Sequence, residues 1–382
     1  MEKHVRSPDL YQLLGVAVDD NTSRDLNCLT ATTVQKAADM GLGPVLFAAT
    51  KDNPRSTASA AYPVLQGTEI TSRILMHGQL DGLQDILTAL GNGARHVTLL
   101  KGISACLKDF PFPHLRTMGD IDLLVPRDKQ AVLEATLLRL GYRQQSAQAQ
   151  DFYKDHHHSM PFFHKERKIW VDVHTALFSS KSRFSGEPAF SQQQIARNTR
   201  PFGFREHQTN IIERELSIIY TACHWADTFP YPRGLMAMLD IIYLFKREGG
   251  LIDWRLLNEL TSHSLSASSV WLMLSYLRRH SLISLSAGVE KQLRVSQTAI
   301  NRTSLTILHG LLDRYLAGGK SFGRIATINN VEIVWTALLA SRNPIRNFLR
   351  VPYYLLFPPE SPVRFSPMLA GRRLMSLIKG GG

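Results

Sequence analysis

Two aspartates separated by one residue, Asp120 and Asp122, lie inside a short apolar segment that ends at Val125. In a β-strand, residues two apart point to the same side. Both carboxylates would therefore lie on one face, while Ile121 and Leu123 pack into a core on the other. Carboxylates this close repel each other, and a divalent cation between them relieves the repulsion. The alternative interpretation is a pair of solvated aspartates at the exposed end of a strand.

The segments on either side favour the metal-binding interpretation. Upstream, the Val-Thr-Leu-Leu segment at 97–100 predicts a short buried strand, and a Lys-Gly pair at 101–102 follows at the start of a helix. A glycine at such a turn lets backbone N–H groups approach a phosphate, and a helix N-terminus adds partial positive charge. Downstream, residues 168–174 alternate in polarity, which predicts a second strand with Asp172 and His174 on one face. That strand would supply a third carboxylate.

These motifs resemble those of the uncharacterised nucleotidyltransferases in the DNA polymerase β-like nucleotidyltransferase superfamily. The resemblance rests on Leu-Leu-Lys-Gly at 99–102, Gly-Asp-Ile-Asp at 119–122 and Val-Asp-Val-His at 171–174, and it spans roughly residues 70–255. It implies an α+β fold, in which a small mixed β-sheet nucleotidyltransferase core is flanked by N-terminal and C-terminal helical lobes. One departure is that the turn reads Gly-Ile here, whereas the superfamily turn usually carries Gly-Ser or Gly-Gly.

The resemblance also implies a reaction and a set of site residues. A nucleoside monophosphate would move from a nucleoside triphosphate, ATP or another, to a hydroxyl acceptor, and pyrophosphate would be released. The catalytic residues, which would also bind Mg²⁺ or alternatively Mn²⁺, are Asp120, Asp122 and Asp172. The residues that would bind the nucleotide are Lys101, Gly102, Ser104 and Arg116. The acceptor stays open among a small molecule, a sugar, a protein and an RNA end.

Several other polar residues have two interpretations each. Arg116 is either a phosphate contact or a surface arginine paired with a nearby carboxylate. His224 and Asp240, in two apolar helical segments, form a buried pair, reach the nucleotide, or serve as structural hydrogen-bonding partners. His174 shares a face with Asp172, and it either takes part in the reaction directly or hydrogen-bonds to that carboxylate.

Three consecutive histidines at 156–158 precede a Met-Pro-Phe-Phe segment, which predicts the first strand of a hairpin. A charged turn at 165–168 would lead back into the strand of Asp172. One of the histidines, for which we take His158, would then lie near Asp172 and contact the acceptor or a phosphate. The alternative is a zinc site formed by one of the three histidines and His174, although their spacing matches no standard zinc pattern.

The chain of 382 residues, 44% of them hydrophobic, is long enough to bury a substantial core. We expect five regions: an N-terminal helical region at 1–92, the nucleotidyltransferase catalytic core at 93–178, an irregular connector at 179–208, a C-terminal helical lobe at 209–340 and a basic tail at 341–382. In the first region, a leucine-rich stripe from Met76 to Leu90 predicts a helix. The sequence shows no transmembrane-length apolar run, no secretory signal and no disulfide pattern, so we expect a cytoplasmic protein.

Half of the net charge of +12 comes from residues 342–382, which carry seven basic residues and one acidic residue. This tail would contact an anionic membrane or an acidic partner, bind nucleic acid, or remain solvated. A second functional hypothesis is therefore a catalytically inactive binding or scaffold protein of the transferase fold, held at a membrane surface by its tail. The presence of all three carboxylates favours the enzyme, and a zinc hydrolase that uses the histidines is a more distant alternative.

Overall fold

The structure is a computed structural model that describes residues 14–15, 31–146, 153, 156–228, 234–261, 265–297 and 300–316. The basic tail predicted at 341–382 lies outside these residues. Within the described part of the chain, none of the helices is both long enough and apolar enough to cross a membrane.

Helices make up most of the described chain. They are α1 (Ala31–Asp39), α2 (Gly43–Thr50), α3 (Pro54–Thr57), α4 (Tyr62–Leu90), α5 (Lys101–Lys108), α6 (Arg127–Arg139), α7 (Gln192–Arg197), α8 (Arg214–Thr228), α9 (Gly234–Glu248), α10 (Trp254–Thr261), α11 (Leu265–Arg279), α12 (Ala287–Ser296) and α13 (Arg302–Leu316). The strands are β1 (Thr98–Leu99), β2 (Asp120–Leu124), β3 (Arg143–Gln144), β4 (Phe162–His164), β5 (Ile169–His174), β6 (Thr199–Phe204) and β7 (His207–Ile212).

The strands form one mixed sheet in the order β3-β4-β5-β2-β1-β7-β6. The pairs β2–β5 and β1–β7 are parallel, and the remaining neighbours are antiparallel. The predicted hairpin is present, since β4 pairs antiparallel with β5 around the charged turn. A mixed sheet between helical regions confirms the predicted α+β class.

One face of the central strands is buried against α4, α5 and α6. Ile121 and Leu123 of β2 and Val171 and Val173 of β5 are fully buried there, as their alternation predicted. The leucine-rich stripe lies on α4, a helix of 29 residues, and packs into the same core. Because apolar residues occupy alternate positions of each strand, the polar residues between them are directed to the opposite face.

The second core lies mainly among the C-terminal helices and also includes buried residues of α1 and α2. Its members from α8, α9 and α11 include Ile219, Leu239 and Met273. The same core includes Leu100, which directly precedes α5, and Ala105 of α5 itself. The C-terminal helices therefore pack against the segment that begins with Lys101.

The expectation of an irregular connector at 179–208 is wrong. Helix α7 and strand β6 lie in this segment, and β6 pairs along its whole length with β7. Because β7 pairs in parallel with β1, the sheet extends past residue 178, the predicted end of the nucleotidyltransferase catalytic core. Pro201 and Gly203 break the alternation of β6, and a proline is tolerated there because β6 is an edge strand.

Candidate active site

The parallel pairing of β2 with β5 brings the predicted acidic residues together. In the register of this pair, Asp122 lies beside Asp172, and Asp120 lies beside Trp170. Partners in register point to the same side of a sheet, which here is the side opposite the apolar core. The prediction that these carboxylates share one face is therefore confirmed.

Asp122 is the centre of a compact polar cluster with Asp172 and His174. One possible ligand atom from each of the three lies within 4.8 Å of the other two. Nε2 of His174 donates a hydrogen bond of 2.7 Å to Oδ1 of Asp122. The carboxylate partner of His174 is thus Asp122, whereas the sequence pointed to Asp172, because the ring reaches diagonally to the neighbouring strand. Asp120 lies outside this three-residue cluster, two positions before Asp122 on the same face.

Lys101 supplies a positive charge to the same carboxylate. Its Nζ lies 2.7 Å from Oδ1 of Asp122, and its side chain is 24% exposed. The backbone at Lys101 has a φ of 46°, in the left-handed region that residues other than glycine seldom adopt. Such conformations persist where the surrounding structure holds them, commonly at functional sites.

Gly102 is required for space at this turn. A Cβ atom at this position would lie 3.1 Å from Cβ of Met118 and 3.3 Å from its Sδ. The glycine therefore lets the start of α5 pack closely against the segment that leads into β2. The left-handed residue of the turn is Lys101 and not the glycine.

The pKa values of the two facing aspartates shift in opposite directions. Burial disfavours a charged Asp122, but Lys101 and His174 outweigh burial, so the pKa of this carboxyl is held well below its usual range. Burial and the charges of Asp122 and Asp120 raise the pKa of Asp172 to about 7. Asp172 can therefore gain or lose a proton near neutral pH. A bound cation would lower this pKa again.

Arg116 joins the sheet region to the C-terminal helices. It donates two hydrogen bonds to Asp240 of α9, from Nε to Oδ1 at 2.7 Å and from Nη2 to Oδ2 at 2.8 Å. Both side chains are only 11% exposed, so the arginine is paired with a carboxylate, as in our second interpretation, but is largely removed from solvent. A buried guanidinium requires such a partner. Asp240 is therefore paired with Arg116, and the pairing of Asp240 with His224 stays a prediction.

A cavity of about 550 Å³ opens beside these residues. Three of the predicted nucleotide-binding residues line it, together with two of the predicted catalytic aspartates: Lys101, Gly102, Arg116, Asp120 and Asp122. Ser104 does not line this cavity and instead borders a narrow one between α5 and α8. Two residues further along a helix is a rotation of about 200°, which carries Ser104 to the other side of α5.

Helices α8 and α9 form the opposite wall of this cavity. The lining residues from these helices include Tyr220, His224, Trp225 and Met236. The rings of Tyr220 and His224 pack edge to face with centroids 5.9 Å apart. Burial raises the pKa of Tyr220 to about 12 and lowers that of His224 to about 3, so both are neutral at physiological pH. Of these four residues, only His224 was predicted as a site residue. The other three are apolar or aromatic, and such residues also occur along the buried side of helices that have no site.

A second cavity, of about 350 Å³, lies on the β5 side of Asp120. Its lining residues are Gly119, Asp120, Gln145, Ser146, Pro161, Trp170 and Asp172. Asp120 borders both cavities, whereas Asp122 faces the first and Asp172 the second. The acidic face of the sheet therefore borders two cavities, and Asp120 lines both of them.

The histidine segment lies next to the cluster, as the hairpin predicted. His158 forms a β-bridge with His174. The His174 ring centroid lies 5.1 Å from that of His157 and 5.3 Å from that of His158. Burial lowers the pKa of His174 to about 4, so its ring is neutral at physiological pH, with the Nε2 proton directed at Asp122.

Comparison with protein families gives one match. A model of a family described as uncharacterised nucleotidyltransferases matches residues 31–280, which is well over half of the chain and includes every residue of the site. The comparison with curated proteins found no match, and the comparison with solved structures found none either.

Proposed function

Because the chain belongs to a family of uncharacterised nucleotidyltransferases, we propose that it moves a nucleoside monophosphate from a nucleoside triphosphate to a hydroxyl acceptor and releases pyrophosphate. The observation that carries this proposal is the pair Asp122 and Asp172, side by side on adjacent strands next to a cavity lined by Lys101 and Gly102. Carboxylates in this arrangement suit a divalent cation, and the neighbouring basic groups suit a triphosphate.

Mg²⁺ is the cation we propose, with Mn²⁺ as the alternative. The donor set fits a hard ion, since it consists of the carboxylates of Asp122 and Asp172, with Asp120 on the same face. The hydrogen bonds from Lys101 and His174 both fall on Oδ1 of Asp122, which leaves Oδ2 for a cation. When bound, such ions stabilise the charge on the attacking and leaving oxygens of phosphoryl transfer.

The triphosphate would lie in the cavity of about 550 Å³. There it meets the N-terminus of α5, whose first N–H groups lack partners within the helix, and Gly102 lets the backbone come close. Lys101 would exchange its contact with Asp122 for a phosphate oxygen when a divalent ion takes its place on the carboxylate. Arg116, fixed by Asp240, adds positive charge at the same wall.

The acceptor would enter from the second cavity, beside Asp172. Its hydroxyl oxygen forms a bond to the α-phosphorus, the bond from that phosphorus to the bridging oxygen breaks, and pyrophosphate leaves with the electron pair. The hydroxyl proton goes to the Asp172 carboxylate, which lines that cavity. The acceptor is a small molecule, a sugar, a protein or an RNA end.

One observation favours the alternative of an inactive protein that keeps the transferase fold. The ion pair of Lys101 with Asp122 already supplies a cation to the carboxylate that would bind metal. If the Lys101 ammonium stayed bound to Asp122, its charge would balance the carboxylate and the site would not require a divalent ion. The proposed membrane contact through residues 342–382 and the cytoplasmic location are further proposals that rest on composition.

The test is label transfer by the purified full-length chain. The protein is incubated with Mg²⁺ and each α-labelled nucleoside triphosphate in turn, together with a cell extract that offers many acceptors. We expect one or more macromolecular or small-molecule products to acquire label, and we expect EDTA to abolish the transfer. Absence of transfer with every triphosphate, in Mg²⁺ and in Mn²⁺, would support the inactive alternative.

A further inference from the structure

Three consecutive histidine rings gather on one side of the chain beside β5. The ring centroids of His156, His157 and His158 lie 4.3, 4.2 and 4.8 Å apart. In an extended strand the middle ring would point away from the other two, but the chain bends at the first two of these residues. One ring nitrogen from each histidine lies within 4.8 Å of the other two.

The segment is anchored in this shape by β5 and the residues just beyond it. The N–H of Ser159 donates to the carbonyl of Val173 at 2.9 Å, and the N–H of Thr175 donates to the carbonyl of His157 at 2.9 Å. The backbone of His158 also bridges to His174. These bonds fix the backbone of His157 and His158, and rotation of the side chains would bring the rings onto one ion.

The tautomer of one histidine is set in the way that metal ligands require. Nδ1 of His158 donates to the carbonyl oxygen of Ser159 at 2.7 Å, which places the proton on Nδ1. Nε2 of His158 then carries the lone pair. Histidines that bind metals commonly donate their other ring N–H to a backbone carbonyl or a carboxylate in this way.

A second histidine has a buried nitrogen for which the described part of the chain supplies no partner. Nδ1 of His157 is out of contact with solvent and accepts or donates no hydrogen bond among these residues. A buried polar atom in this state is unfavourable unless a ligand satisfies it. A metal ion among the three rings would use such a lone pair.

Solvent can reach the cluster through a third cavity, of about 330 Å³, lined by His156 and His158 together with Tyr153 and Glu134. A cluster closed on every side could not load an ion from solution. This cavity provides an entry path and space for a water molecule as a further ligand.

We propose that His156, His157 and His158 form a binding site for a borderline divalent metal, Zn²⁺ being the best fit, separate from the proposed Mg²⁺ site at the aspartates. An all-imidazole ligand set suits Zn²⁺ and related transition metals, whereas Mg²⁺ requires oxygen ligands. With Zn–N bonds of 2.0–2.1 Å, ligand nitrogens lie about 3.4 Å apart. The histidine nitrogens lie within 4.8 Å of one another, so ring rotations that close gaps of up to about 1.4 Å complete the site. The proposed ligand set consists of these three consecutive histidines.

The experiment measures Zn²⁺ binding without nucleotide, so that its result does not depend on the proposed transfer reaction. The EDTA-treated full-length protein is titrated with Zn²⁺ alone by calorimetry, in the presence of excess Mg²⁺. We expect about one Zn²⁺ per chain at the high-affinity site, and binding at least ten-fold weaker in His157→Ala and in the triple alanine variant of 156–158. His77→Ala changes an exposed histidine of α4 and should bind as the wild type does.

X-ray absorption spectroscopy of the Zn²⁺-loaded wild-type protein tests the proposal without any variant, so its result does not depend on whether a variant folds. We expect scattering from three imidazole rings. Fewer than three rings, the absence of a high-affinity site, or unchanged binding in the triple variant would each overturn the proposal.

Discussion

Nζ of Lys101 and Nε2 of His174 meet on the same oxygen of Asp122, each at 2.7 Å. A buried carboxylate thus has a positive charge on one side and a neutral hydrogen-bond donor on the other, which keeps it ionised. A divalent ion that binds Asp122 must compete with Lys101 for this negative charge. The contact of Lys101 with Asp122 therefore stabilises the fold and at the same time weakens the binding of a metal ion to Asp122.

Replacing Lys101 with methionine keeps the apolar stem and removes the charge. We expect the variant to lose about 3–5 kcal/mol of stability in EDTA, because it leaves the Asp122 carboxylate buried without its cation. Mg²⁺ should restore part of this loss and should raise the melting temperature more in Lys101→Met than in the wild type. Thermal unfolding with and without Mg²⁺ measures both effects. An equal Mg²⁺ shift in the two proteins would contradict the competition.

The bidentate pair of Arg116 with Asp240 should couple the sheet to the C-terminal helices. In a double-mutant cycle followed by urea unfolding, each single alanine variant should lose about 3–5 kcal/mol, and the double variant should lose clearly less than the sum. The exposed pair of Arg205 with Asp81 is the matched control, and its coupling should stay below about 1 kcal/mol. Coupling as weak as in the control would show that the buried pair does not hold the two parts together.

The raised pKa of Asp172 predicts a pH dependence of stability. Its pKa is about 7 in the folded protein against an ordinary value of 3.8, so between these values the folded state keeps a proton that the unfolded state has lost. Its contribution to stability is therefore complete below about pH 4 and disappears as the pH rises through 7. Between pH 5 and pH 8 in EDTA, the free energy of unfolding of the wild type should fall by on the order of 1–3 kcal/mol more than that of Asp172→Asn. Urea unfolding at both pH values measures this, and parallel behaviour of the two proteins would refute the assignment.

Gly102 provides a steric test of the proposed triphosphate site. In Gly102→Ala the new methyl group would lie 3.1 Å from Cβ of Met118, so Met118 or the turn must give by a few tenths of an ångström. We expect the affinity for a non-hydrolysable triphosphate with Mg²⁺ to fall about ten-fold, or about 1.4 kcal/mol. Gly67→Ala, at a helical glycine with open space around it, should leave the affinity unchanged. Equal affinities in both variants would place the triphosphate elsewhere.

Local patterns predicted the parts of the site that lie within single strands. The alternation around Asp122 and Asp172 predicted both strands and the face of each carboxylate, because a strand places every second residue on one side. Strand β6 was missed because Pro201 and Gly203 interrupt its alternation, and its position at the sheet edge, which makes this tolerable, is a tertiary property.

The contacts that shape the site could not be predicted in the same way. Lys101 and Asp122 are 21 residues apart in the chain, and Arg116 and Asp240 are 124 residues apart. No periodic pattern connects residues at such separations, because their meeting depends on how strands and helices pack. The position of Ser104 could not be predicted either. The side of α5 on which it lies depends on the residue at which that helix begins.

The most direct measurement is the rate of label transfer from an α-labelled nucleoside triphosphate in variants of single aspartates. Asp120→Asn, Asp122→Asn and Asp172→Asn should each reduce the rate at least 100-fold while circular dichroism shows an intact fold. Asp128→Asn, at an exposed position in the first turn of α6, should transfer label at the wild-type rate. Transfer that persists at the wild-type rate in Asp122→Asn and Asp172→Asn would contradict the proposal that these two carboxylates form the catalytic metal site.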